Sequence, residues 1–127
     1  MVYLLFSLRA NVEIQPTVLA ILFNCALPEA ITLALQEIHA DTALTSQLAT
    51  DKIRLGAYAN RLTPVAPDWS MAESTQPQPF RNDLDPEHYY TDFVTKWVRD
   101  FNVGIVGGCC GVTPAHIALL HDKLCEP

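Results

Sequence analysis

Val18-Leu19-Ala20-Ile21-Leu22-Phe23, followed at once by Asn24-Cys25, decides the fold. Six apolar residues run on without a polar interruption. A strand with one wet face alternates apolar and polar residues, so an unbroken short run predicts a strand buried on both faces. Such strands belong to parallel sheets covered by helices. Two weaker runs share the reading: Ile53 to Ala59, IRLGAYA, interrupted by Arg54 and Gly56, and Val103-Gly104-Ile105-Val106.

A helical pattern follows each strand. Pro28 suits the first turn of a helix reaching about Ala40, with Ile31, Ala34, Leu35 and Ile38 on one face. Asp85 can cap a second helix that has Pro86 at its first position. Tyr90, Phe93, Val94, Trp97 and Phe101 would form its buried stripe, a core rather than a ligand platform. Thr113 can cap a third, opened by Pro114, with Ile117, Leu120 and Leu124 inward. The order βαβαβα predicts an α/β fold with a parallel sheet, open or closed as a barrel. Residues 1–15 read as the end of a preceding helix.

The chain has 127 residues, enough for one domain over 1–127 with a real core. Half of it is hydrophobic and 17% charged, which excludes a disordered tail. Its net charge is −6, and the eight basic residues are scattered. Nucleic acid and anionic membranes need clustered Lys and Arg, so neither is expected as a partner. A bilayer span takes about 20 apolar residues, far more than any run here. The opening MVYLLFSLRA lacks the basic start of a secretory signal. The reading is therefore cytoplasmic, where four cysteines are thiols or metal ligands rather than disulfides.

Residues 61–84 form a long loop with Pro64, Pro67, Pro77 and Pro79 among Ser, Thr and Gln. It leaves the C-terminal edge of the sheet, where α/β active sites are built. A functional loop and a disordered excursion both fit that composition.

Chemistry gathers on the same edge. Cys25 ends the first run, and Cys109 and Cys110 follow the third in IVGGCCG. Three thiolates converging there suit a tetrahedral Zn²⁺ with its fourth position open, the arrangement of a catalytic metal. Gly107, Gly108 and Gly111 let the backbone turn so that adjacent cysteines need not point apart. Buried packing cysteines, or a redox pair at Cys109–Cys110, are the competing readings. Cys125 reads as structural or incidental, and His39, His88, His116 and His121 as surface or packing residues.

FNCALPEAI, LGAYANR and IVGGCCGVTPAHIALL, in this order, resemble the closing segments of the homocysteine S-methyltransferase family. The similarity covers roughly residues 16–124. It implies the last three βα units of a (β/α)₈ TIM barrel, an incomplete barrel whose first five units are not in this chain. It also implies a Zn²⁺ held by Cys25, Cys109 and Cys110. Homocysteine would be methylated to methionine, as in methionine biosynthesis, by S-methylmethionine, betaine or a folate. Asn24, Tyr58 and Asn60 stand at strand ends where substrate contact or a structural role fits. Two other functions stay open: a truncated zinc-binding or interaction module without catalysis, and a thiol redox protein. An unpaired strand edge further predicts poor solubility or self-association.

Overall fold

A computed structural model of the chain describes residues 18–65, 70 and 79–125. The expected helix over 1–15 lies outside the described residues, as does most of the middle of segment 61–84. Three strands, β1 (Ala20–Asn24), β2 (Arg54–Tyr58) and β3 (Val103–Val106), form one parallel sheet in the order β1-β2-β3. Ala20 pairs with Arg54 and Asn24 with Tyr58 across the first ladder. In the second, Leu55 pairs with Val103 and Gly56 with Ile105, so Gly104 is passed over as a bulge.

The helices begin and end where local chemistry dictates. Helix α1 (Pro28–Ala40) opens on proline and buries Ile31 and Leu35, one turn apart. Asp41 stops it and caps α2 (Thr42–Thr50), its carboxylate accepting from the Leu44 backbone N–H at 3.0 Å. No apolar period announces α2. Its Thr45, Ser46 and Thr50 hydroxyls turn back onto backbone carbonyls, and only Leu44 and Leu48 are buried. Helix α3 runs from Pro86–His88 through a π-helical turn, Tyr89–Val94, into Thr95–Phe101. Asp85 caps it as expected, and Asn102 in the left-handed region ends it. Helix α4 (Pro114–Leu124) starts with a reciprocal cap between Thr113 and His116.

Ile31, Leu35, Ala57, Ala59, Tyr89, Val94, Trp97, Val103 and Leu120 make the core between one sheet face and the helices. Burying each large side chain stabilises the fold by about 1.5–3 kcal/mol. Trp97 packs edge-on against Tyr89 at 6.1 Å and donates to the Thr32 hydroxyl at 2.8 Å.

Three expectations need correction. β1 is buried on one face, not both: Leu22 is 42% exposed, and Leu19, just before the strand, is 71% exposed. Leu22 lies with Ile105 over Gly56, on the face away from the core cluster, where any Cβ at Gly56 would collide with Leu22. In α3 the π-helical turn breaks the 3.6-residue period. Tyr89 is fully buried, and Tyr90 only packs on the rim of the core. In α4 the buried place beside Leu120 goes to His116, while Ile117 is exposed.

Candidate metal centre

Parallel strands with helices returning between them put every strand's C-terminal end on one edge. Cys25 directly follows β1, and the turn after β3 carries Cys109 and Cys110. Their sulfurs all lie within 4.8 Å of one another. Cys25 Sγ is 3.6 Å from Cys110 Sγ, and Cys109 Sγ is 3.9 Å from Cys110 Sγ. All four cysteines are free thiols, and Cys125, beyond α4, has no part in the cluster.

The backbone is bent to make this meeting possible. Cys25 sits at φ 54°, a left-handed conformation that a residue with a Cβ adopts at a cost. Two bonds hold it there. Its N–H donates to the Tyr58 carbonyl at 3.0 Å, and the Asn60 side-chain amide donates to its own carbonyl at 2.7 Å. Asn60 is 5% exposed. Its other side-chain atom accepts from the Leu62 N–H at 3.0 Å.

The glycine turn is held as firmly. Cys109 N–H donates to the Ala59 carbonyl at 2.9 Å, and Val112 N–H returns to the Cys109 carbonyl at 3.0 Å. Arg61 grips the far side of the turn. Its N–H donates to the Cys110 carbonyl at 2.8 Å, and its guanidinium donates to the Gly111 carbonyl at 3.0 Å and the Arg81 carbonyl at 2.8 Å. Gly111, at φ 80°, lies so close to the Phe80 ring that an added Cβ would come within 2.6 Å of it. Arg81 in turn pairs with Glu29 at the start of α1 and with Asp83. Both walls of the site are therefore tied to each other.

Two of the thiols shift each other's pKa in opposite directions. The hydrogen bond with Cys109 holds the pKa of the Cys25 thiol below its ordinary value. That same bond pushes the Cys109 thiol up to about 11.

A tetrahedral ion with metal–sulfur bonds of about 2.3 Å holds its sulfurs about 3.8 Å apart. The two close sulfur pairs bracket that spacing. Three soft thiols on a glycine-lined edge, with no fourth Cys or His among the described residues to close the shell, fit Zn²⁺ with an open position.

Of the other residues singled out in the sequence, Asn24 is exposed at the end of β1, opposite Tyr58. Tyr58 is half-buried beside Gly107. Asn60 is buried against the cluster: its amide donates to the Cys25 carbonyl and lies 4.0 Å from the Cys25 sulfur, and its carbonyl serves Leu62. The residues that sequence reasoning missed are Arg61 and Tyr89. Arg61 stands inside the quoted LGAYANR, and an arginine next to a strand end was the available signal. Tyr89 had none, because a regular period gives its place to Tyr90.

A parallel α/β chain with three thiols on its C-terminal edge is the class of protein that fold and site define. A model of the homocysteine S-methyltransferase family matches residues 5–124, and the chain belongs to that family. No curated protein and no solved structure matches it. No helix among the described residues is long and apolar enough to cross a membrane.

Proposed function

We propose that the chain is the zinc-binding, C-terminal part of a homocysteine S-methyltransferase, a single partial homocysteine-binding unit with Cys25, Cys109 and Cys110 as its metal ligands. The observation that carries this reading is the sulfur triangle, at the spacing a tetrahedral ion needs, in a member of this family. Zn²⁺ held there supplies an open position at which a substrate thiol is kept as its thiolate.

The chain's own residues prepare that position. The cysteine thiols must lose their protons when a metal enters. Asn60 and Arg61 fix the two backbone bends so that the sulfurs converge before any metal arrives. Asn24 and Tyr58 stand at the open edge, where the amino-acid part of homocysteine and the methyl donor would approach. In the overall transfer, homocysteine sulfur gains the methyl group. The demethylated donor, methionine where the donor is S-methylmethionine, leaves with the electron pair of the bond that breaks, and the homocysteine thiol proton goes to solvent.

The three βα units are the last three of an eight-stranded barrel, completed by five more in the same or a complementary polypeptide. The exposed Leu19 and Leu22 and the edge of β1 that no described strand pairs with would otherwise drive self-association. Four free thiols suit a reducing compartment such as the cytoplasm.

A redox pair at Cys109 and Cys110 is the weaker reading, because Cys110 lies closer to Cys25 than to Cys109. Zinc analysis of the reduced protein and its cysteine variants tests the metal reading. About one zinc per chain is expected, lost on changing Cys25, Cys109 or Cys110 to Ala and kept in Cys125→Ala. Equal retention in all four variants would sink it. Methionine formation from homocysteine, alone and with a complementary barrel fragment, then separates a catalytic unit from a zinc-binding module.

A further inference from the structure

We propose that Tyr89 is a positioning residue for the cysteine cluster, its phenol inserted as a relay into the backbone ladder that sets Cys109. The proposal rests on the reading of the three cysteines as a metal centre.

The ladder between β2 and β3 makes the insertion visible. Ala57 pairs with Val106, and the Gly107 N–H donates to the Ala57 carbonyl at 3.2 Å. In a regular parallel ladder, bonds recur every second residue on each strand. The next two should therefore run from the Ala59 N–H to the Gly107 carbonyl, and from the Cys109 N–H to the Ala59 carbonyl. The second is present at 2.9 Å. The first is replaced: the Ala59 N–H donates to the Tyr89 hydroxyl at 3.3 Å, and that hydroxyl donates to the Gly107 carbonyl at 2.8 Å. One oxygen atom thus bridges this rung, with direct backbone bonds on either side of it. On one side lies Asn60, which bends Cys25; on the other lies the turn into Cys109 and Cys110.

The placement of Tyr89 has its own device. The π-helical turn Tyr89–Val94 widens α3 where it passes the sheet. The ring is fully buried, edge-on to Trp97 at 6.1 Å and to His116 at 5.9 Å. Burial pushes the phenol up to about 12, so it keeps the proton that it donates to Gly107. A phenylalanine here would keep every ring contact. It would either let the strands close on each other or leave two buried backbone groups unpaired, and both move Cys109.

Tyr89→Phe is the test, read by zinc affinity in chelator competition well below the unfolding temperature. An affinity loss of about tenfold is expected, the lower end for residues that orient ligands from behind. Thr32→Val serves as the control, since it removes the buried Trp97 bond from the same helix and should lower stability without weakening zinc. Tyr89→Phe binding zinc within twofold of wild type overturns the proposal. A second measurement needs no variant. Coupling is reciprocal, so zinc added to the wild-type chain should slow amide exchange at Ala59 about tenfold. Unchanged exchange at Ala59 in zinc-loaded protein overturns it as well. Zinc retained equally by the wild type and a triple cysteine variant would instead overturn the metal reading, and the Tyr89 proposal with it.

Discussion

The side-chain amide of Asn60 donates to the Cys25 carbonyl oxygen at 2.7 Å, and with the Cys25 N–H bond to Tyr58 it keeps a cysteine at φ 54°. Such a conformation persists only where its surroundings enforce it. Asn60→Ala should therefore lower stability by about 1–3 kcal/mol, the cost of a lost buried hydrogen bond. It should also weaken zinc binding. Asn60→Asp keeps an acceptor for the Leu62 N–H but loses the donor to Cys25, so it should weaken zinc nearly as much as Ala. An aspartate variant with wild-type affinity would show that Cys25 holds its bend without Asn60.

Gly111 is the second hinge. Its positive φ, together with the Phe80 ring and the Arg61 side chain pressed against it, leaves no place for a Cβ. Gly111→Ala should cost about 1 kcal/mol or more in denaturant unfolding. It should also displace the neighbouring Cys110. The Co²⁺-substituted protein reports this directly: its sulfur-to-cobalt charge-transfer band should weaken in the variant and stay intact in the wild type.

At the start of α3, His88 and Asp85 form an exposed pair at 2.8 Å. The hydrogen bond with Asp85 raises the pKa of His88 above 6.5. Asp85 falls below 3.8 because it accepts from the His88 backbone N–H and from the ring. The raised histidine contributes stability that is full below 6.5 and lost as pH rises through its folded value. The lowered aspartate contributes stability present above 3.8 and lost as pH falls through its folded value. His88→Gln should flatten the alkaline decline and leave the acid limb largely in place. Thermal unfolding followed across that pH range decides it; an unchanged slope above neutrality would remove His88 from the account.

The exposed leucines at and before β1 give a fourth expectation. Replacing Leu19 by Lys and Leu22 by Thr removes exposed apolar area without touching the core. The double variant should elute later than the wild type in size-exclusion chromatography and keep its zinc. Identical elution would place any association on another surface.

Sequence alone carried the sheet and the cysteines because both depend on patterns with a fixed physical meaning. Apolar runs mark strands, and parallel topology sends Cys25, Cys109 and Cys110 to one edge whatever lies between. The helix over Thr42–Thr50 was illegible because its two buried leucines sit among hydroxyl residues that favour turns as readily as helix. Tyr89 escaped for a different reason. A π-helical turn has no sequence period, so the stripe that correctly took in Val94 and Trp97 was out of phase one turn earlier. The continuous run in β1 misled in an informative way. It encodes burial on two faces, and the described chain supplies only one.

Leu62 bridges to Phe80, Thr63 donates to the Pro79 carbonyl at 3.1 Å, and Arg81 donates to the Arg61 carbonyl at 2.7 Å. These bonds form a clasp at the neck of the proline-rich segment, on the same Arg61 that grips Cys110. Everything beyond the clasp becomes a cassette. Lengthening such a segment twofold costs only about 0.6 kcal/mol of closure entropy, and the clasp keeps the change from reaching the sulfurs. Swapping that stretch for one of different composition should thus leave the thiols where they are.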